Sequence, residues 1–129
     1  MELRIPTPEI FDGLSTLGDR VERLARELAA FYERSEPWWR VYEREPDLIN
    51  AWGGGVDQYY ADIERLMRAA LGELSTDERS VAVVASVIGP PTFFALRGRG
   101  LSYDEAVGMS LELALPWLEQ RRDELAGLS

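Results

Sequence analysis

The sequence predicts an all-α fold, a bundle of five to six helices in a single domain over residues 1–129. Apolar residues recur at steps of three and four along two long stretches, which is the spacing of one helix face. Glycine, proline and capping residues separate these stretches, and no segment has the alternation typical of a strand. With 46% hydrophobic and 29% charged residues, the chain has the composition of one globular core.

The first long helix is predicted from about Ser15 to Arg34. One of its faces carries six apolar residues at helical spacing: Leu14, Leu17, Val21, Leu24, Leu28 and Phe31. Pro8, directly after Thr7, predicts a short helical turn ahead of this helix.

Two breaks are expected after the first helix. Ser35, Glu36 and Pro37 predict the start of a separate short aromatic helix, because proline is preorganised for a first helical turn. Pro46 restarts the chain, and a short piece over residues 47–52 ends at three consecutive glycines, where we expect a bend.

A second long amphipathic helix is predicted from Val56 to Leu71, with its charged residues opposite the apolar stripe. Residues 72–74 close this helix. Ser75 and Glu78 have the spacing of a capping box, which predicts the start of the next helix.

The last two predicted helices, Ser80 to Arg97 and Ser102 to Leu125, are apolar in nearly every direction. We expect a kink at Pro90 and Pro91 in the first and a bend at Pro116 in the second. Ser102 with Glu105 predicts a capping box. Because helices that are apolar all round need cover on several sides, we expect a partner chain to supply part of it.

Charge and composition exclude several classes of function. The net charge of -9, with 14 basic against 23 acidic residues and no basic face, argues against direct nucleic-acid binding. The longest apolar run, Val81 to Ile88, is too short for a bilayer, and the N-terminus lacks the pattern of a signal peptide. We therefore expect a cytoplasmic protein without membrane contact.

Catalysis and metal binding are not expected either. Cysteine and histidine are both absent, which removes thiolate nucleophiles, imidazole bases and zinc sites built on sulfur or nitrogen. An enzyme would have to use carboxylates, and the close acidic pairs are better explained as charged helix faces: Glu33 with Glu36, Glu43 with Glu45, and Asp62 with Glu64. We expect no cofactor, no metal and no catalytic residue.

The segment from Ala95 to Ala106 resembles the junction between the last two helices of TetR-family C-terminal domains. There an aromatic residue and a leucine precede a glycine turn that is followed by leucine, serine and a capping glutamate with alanine; the matching positions are Phe94, Leu96, Gly100, Leu101, Ser102, Glu105 and Ala106. The stretches 30–34, 38–42 and 45–48 also resemble this family. The resemblance covers nearly the whole chain.

This resemblance implies a regulator domain that binds a small, mostly apolar or aromatic effector and forms a homodimer. The family's N-terminal helix-turn-helix is not expected within these residues, so either the numbering begins at a domain boundary or the protein acts without contacting DNA. The ligand's identity, the target operator and the direction of regulation stay open. The alternative is a helical protein-interaction module, or anti-regulator, without a small-molecule ligand.

Aromatic side chains line most pockets for flat or apolar ligands. The residues predicted to bind the effector are Trp38, Trp39, Tyr42, Trp52, Tyr59, Tyr60, Met67 and Phe93. Core packing is the competing interpretation, and we favour it for Tyr60, Phe93 and Trp117.

The dimer interface is predicted on the last two helices, which pack with their copies as a four-helix bundle. Its predicted residues are Val84, Val87, Phe94, Val107, Leu111, Ala114, Leu115 and Leu118.

Overall fold

The computed structural model describes residues 4–47 and 56–128, and every regular element in these ranges is helical. The helices are α1 (Leu17–Arg44), α2 (Val56–Leu71), α3 (Glu78–Val87), α4 (Pro90–Gly98) and α5 (Tyr103–Gly127). Short 3₁₀ helices, Pro8–Phe11 and Gly72–Leu74, precede α1 and follow α2. The all-α prediction is confirmed. The predicted piece over residues 47–52 and the bend at Gly53–Gly55 lie almost wholly outside the described residues.

The expected break at Pro37 is wrong, because α1 is a single helix of 28 residues that contains this proline. The exposed proline removes one amide from the helix, but unbroken helix buries Ser35 and Trp39 on the face already formed by Leu28 and Tyr32. The Ser35 hydroxyl donates to the Phe31 carbonyl at 2.6 Å, and Trp39 Nε1 donates to Ser35 Oγ at 2.9 Å. Tertiary burial and this hydrogen-bond chain outweigh the local helix-start signal.

Arg20 fixes the end of α2 against α1. Its Nε donates to the Ala70 carbonyl at 2.9 Å and its Nη1 to the Ser15 carbonyl at 3.0 Å. Gly72 turns the chain there with φ of +57°, and a Cβ at that position would lie 2.9 Å from Arg20 Nη2. Glycine therefore serves both the turn and the approach of the guanidinium.

The capping box predicted from Ser75 and Glu78 is wrong. Asp77 is the residue that caps α3, accepting from the Ser80 amide at 3.2 Å and from the Ser80 hydroxyl at 2.7 Å. Arg121 of α5 donates to both carboxylate oxygens of Asp77 at 2.9 Å. These bonds from Arg121 and Ser80 hold the pKa of Asp77 well below its usual range.

The predicted kink at the double proline is a complete break between two helices. Gly89 caps α4, whose first positions are the two prolines. Residues 90 and 91 have no amide hydrogen to give the carbonyls one turn back, those of Ser86 and Val87. Hydroxyl groups replace the missing donors: Thr92 bonds to the Ser86 carbonyl, and Ser110 of α5 to the Val87 carbonyl at 3.2 Å.

A third hydroxyl reaches the next carbonyl of the same break. The buried Tyr32 hydroxyl, from α1, donates to the Ile88 carbonyl at 2.9 Å. Burial raises the pKa of Tyr32 well above its ordinary value, so the hydroxyl remains a donor at neutral pH. Three consecutive carbonyls at the end of α3 are thus bonded by side chains of α4, α5 and α1.

The junction of α4 and α5 follows its sequence signals. Gly100 has φ of +95°; its amide donates to the Arg97 carbonyl, and the Leu101 amide to the Leu96 carbonyl, which together form a Schellman motif. The capping box of Ser102 and Glu105 is confirmed, with both bonds at 3.1 Å. Helix α5 then continues without interruption through Pro116.

The core lies where α1 packs along α5 and α2, with α3 and α4 closing it. The predicted stripe of α1 supplies much of this core, since Leu17, Val21, Leu24, Leu28 and Phe31 are all buried. The bidentate pair of Asp77 and Arg121 joins α3 to α5 beside it.

The combined stretch Glu78–Gly98 is long and apolar enough to cross a membrane by length and composition, with a mean hydropathy of 1.5. It comprises α3 and α4, so it is interrupted at residues 88 and 89, and a third of its most apolar window is buried. Core helices of soluble proteins pass the same test, so this stretch is weak support for a membrane span.

Candidate functional site

The unbroken α1 brings most of the predicted effector residues into one aromatic cluster with α2 and α4. The cluster consists of Trp38, Trp39, Tyr42, Tyr59, Tyr60 and Phe94. The Trp38 ring lies 4.8 Å from Trp39, 5.3 Å from Tyr59 and 6.0 Å from Tyr42, with which it stacks. The Trp39 ring lies 5.9 Å from Tyr60 and 6.2 Å from Phe94. Rings at these distances pack on one another and leave no room for a ligand between them.

The predicted effector residues differ in their access to solvent. Trp39, Met67 and Phe93 are buried, whereas Tyr60 is 40% exposed. Trp38, Tyr42 and Tyr59 are half-buried, and Trp52 lies outside the described residues. Phe93 packs edge-on against Tyr32 with ring centroids 5.3 Å apart, in the core. Phe93 thus packs in the core, whereas Tyr60 and Trp117, which is 36% exposed, lie at the surface.

The free volume next to the aromatic cluster is a surface groove of about 260 Å³ between α1 and α4. Its lining residues are Trp39, Arg40, Glu43, Pro91, Phe94 and Ala95. Two larger grooves, of about 610 and 390 Å³, flank the N-terminal residues 4–8, and of the predicted effector residues only Tyr59 lines either of them.

The charged side chains beside the α1–α4 groove differ in whether they form an ion pair. Arg40 Nη2 donates to Glu36 Oε1 at 2.6 Å, and the Tyr103 hydroxyl donates to Glu36 Oε2 at 2.9 Å. Although partial burial opposes it, these bonds lower the pKa of Glu36. Burial and the bond to Glu36 raise the pKa of Tyr103 to about 12. Among the described residues, Glu43 has no ion-pair partner within 4.0 Å.

Helix α5 has a second apolar face that remains exposed among the residues the structure describes. Met109, Leu113 and Trp117, spaced four residues apart, are 41%, 61% and 36% exposed. We call these three residues the α5 stripe. Trp117 lines a small groove with Arg79 of α3, so the stripe runs along the border between α5 and α3. Ala82 and Ser86, at helical spacing from Arg79, continue the exposed surface on α3.

The residues predicted for the dimer interface do not form this surface: on α5, Val107, Leu111 and Leu115 are each two positions from a member of the stripe and so lie on the opposite side of the helix. Val84, Val107, Ala114 and Leu118 are buried by the chain itself, so they have no surface to offer a partner. Val87, Phe94, Leu111 and Leu115 are half-buried. The sequence analysis missed the α5 stripe, whose signal is the i, i+4, i+8 spacing of three large apolar residues next to the buried positions.

No group of three or more acidic side chains that could hold a metal ion occurs among the described residues. No protein-family model, curated protein or solved structure matches this chain. Nothing in these comparisons identifies a TetR-family domain.

Proposed function

We propose that this chain is the effector-binding and dimerisation domain of a TetR-like transcriptional regulator, and that it forms a homodimer through α3 and α5. The α5 stripe is the main observation that supports a dimer. In this proposal the domain acts in the cytoplasm and does not itself contact nucleic acid, in keeping with its net charge of -9.

The apolar area of α5 supports a partner of the same kind. One face of this helix packs on α1 and α3, and the adjacent face exposes three large apolar side chains in a row. Isolated apolar residues are normal on a protein surface, but an aligned set on one helix is typical of helix pairing. Leu113, the most exposed of the three, stands at the centre of the stripe.

The ends of the stripe carry opposite charges. Arg79 lies beside Trp117, and Glu105 precedes Met109 by one helical turn. If two copies of α5 pair antiparallel about Leu113, the Trp117 end of one copy meets the Met109 end of the other. Arg79 then approaches Glu105 of the second copy, twice in each dimer. The surface is therefore complementary to itself under two-fold symmetry, as an isologous interface requires.

Light scattering on the purified chain at micromolar concentration tests the dimer. We expect the wild type to have the mass of a dimer and Leu113→Glu to be a monomer with an unchanged helical circular dichroism spectrum. Leu128→Glu is the matched control, because it makes the same substitution at an exposed leucine away from the stripe, and it should remain dimeric. A monomeric wild type, or equal behaviour of the two variants, refutes the proposal.

A second candidate is a helical interaction module that pairs with other helical proteins through the same surface without a small ligand. The close packing of the aromatic cluster favours this candidate. Tryptophan fluorescence separates the two, because Trp38 and Trp39 lie in this cluster. A shift in emission with compounds from a panel of apolar and aromatic molecules supports an effector domain, and no response to any of them supports the interaction module.

A further inference from the structure

We propose that the channel between α1 and α2 is a docking site for an extended, proline-containing segment of a different protein, and that residues 4–7 of this chain occupy it as an internal competitor. We call residues 4–7 the strap. The channel is separate from the α5 stripe, and its use does not depend on effector binding or on dimerisation. Three features of the strap support this role: its extended backbone, its weak attachment and the open space beside it.

The strap is preorganised as an extended chain. Pro6 and Pro8 restrict the residues that precede them, Ile5 and Thr7, to extended backbone. Thr7 accordingly has φ of -103° and ψ of 163°. Extended proline-containing segments are common ligands of protein grooves, because their backbone is already ordered before they bind. The chain itself therefore shows which kind of segment fits between α1 and α2.

The walls of the channel come from the two helices on either side of the strap. Glu27 and Arg34 line the α1 side. Each wall combines one carboxylate with one guanidinium, so charge does not favour either sign of ligand. On the α2 side, an aromatic ring lies beside the proline-containing segment, as in other grooves that bind such segments. The residues of this second wall are Tyr59, Asp62, Arg65 and Leu66.

The strap is attached weakly. Ile5 packs against the core but is only half-buried, as is Pro6. Among the described residues, neither of them forms a backbone–backbone hydrogen bond. Half-burial of one isoleucine corresponds to about a factor of ten in an equilibrium constant, which a competing segment can overcome. Phe11 is buried and anchors the 3₁₀ helix that follows, so displacement of the strap leaves the rest of the fold in place.

The strap leaves open volume on both of its sides, about 610 Å³ towards α1 and about 390 Å³ towards α2. Both volumes lie within the range of ligand pockets, roughly 300–1,000 Å³. A partner segment with a bulky apolar side chain in place of Thr7 fills part of this space and gains contacts that the strap lacks. A second copy of the chain has no such advantage, because its strap is identical and the resident strap is tethered, at an effective concentration on the order of millimolar. The occupant is therefore a segment of a different protein.

Fluorescence anisotropy with two labelled peptides and the full chain tests this docking site. One peptide has the sequence of residues 4–9, and the other carries Thr7→Trp in the same sequence. Ile5→Glu in the protein should detach the strap, so both peptides should bind this variant about tenfold more tightly than they bind the wild type. Leu128→Glu is the matched control, since it makes the same kind of substitution at an exposed leucine away from the channel, and it should bind like the wild type. Tyr59→Ala, added to Ile5→Glu, should weaken binding of both peptides.

The Thr7→Trp peptide should also bind the wild type more tightly than the native peptide does, and equal affinity there overturns the use of the open space. Absence of binding to Ile5→Glu, with its helical circular dichroism spectrum unchanged, overturns the docking site. Equal affinity of the peptides for Ile5→Glu and Leu128→Glu overturns the strap as a competitor. If light scattering shows that Ile5→Glu recruits the wild-type chain into a complex larger than either protein forms alone, the occupant is a second copy, and its assignment to a different protein is overturned.

Discussion

The hydroxyl of Tyr32 allows the packing around the helix break to be tested quantitatively. Tyr32→Phe keeps the ring and its edge contact with Phe93 and removes only the 2.9 Å bond to the Ile88 carbonyl. A buried acceptor that loses its partner costs about 1–3 kcal/mol. For a chain of this length that loss lowers Tm by roughly 3–10 °C.

The assay is urea and thermal unfolding followed by circular dichroism, at one fixed protein concentration because a dimer's Tm depends on concentration. Tyr60→Phe is the control, since the Tyr60 side chain is 40% exposed and water can solvate its hydroxyl. We expect the control to change stability by less than about 0.5 kcal/mol. If Tyr32→Phe is no less stable than Tyr60→Phe, the bond to Ile88 does not stabilise the fold.

The pKa of Tyr32 adds a test with a defined sign. Because folding raises this pKa, the contribution of Tyr32 to stability is complete below about pH 10, the value in the unfolded chain. It is lost as the pH rises above that value. The wild type should therefore lose stability in alkali, and Tyr32→Phe should lose less of it over the same range. Parallel alkaline curves for the two proteins would contradict this reasoning.

Two further substitutions test the termini of α3. Asp77→Asn should reduce the loss of stability in acid, because the lowered pKa of Asp77 gives stability that is present above about pH 4 and lost below it. Urea unfolding midpoints measured across the acid range check this prediction. If stability falls with pH equally in both proteins, the pairing of Asp77 with Arg121 has no role in it. Gly89→Ala should destabilise the chain, because its Cβ would clash with the Ala85 carbonyl oxygen. Gly108→Ala, in the second turn of α5 where a Cβ meets nothing within 4 Å, should instead raise stability by about 0.5–1 kcal/mol. Similar melting curves for the two alanine variants would refute the proposed close approach at Gly89.

The parts of the fold that could be predicted are those determined by residues close together in the sequence. The apolar stripe from Leu17 to Phe31 and the capping box of Ser102 and Glu105 both act within one or two helical turns, so their patterns are complete in the sequence. At the start of α3, the sequence predicted a cap from Ser75, whereas the structure has Asp77 there. Arg121, 44 residues away, bonds to Asp77, and no local pattern contains that contact.

The sequence could predict which types of residue form the candidate site, but it could not predict how they are arranged. The sequence places the aromatic residues near one another, but the continuous helix through Pro37 is what brings Trp39 against Phe94. Likewise, α5 has two apolar stripes of equal helical spacing. Which stripe, that of Leu113 or that of Leu118, is buried depends on where α1 and α3 lie.

The break between α3 and α4 ties the end of α3 to three other helices. The carbonyls of residues 86, 87 and 88 each accept a hydrogen bond from a hydroxyl group of a different helix, which are α4, α5 and α1 in turn. Of these three bonds, only the one from Thr92 joins α4 to α3, because those from Ser110 and Tyr32 attach the end of α3 to α5 and α1. A displacement of α4 therefore has to break only the Thr92 bond, whereas the end of α3 keeps its two other attachments.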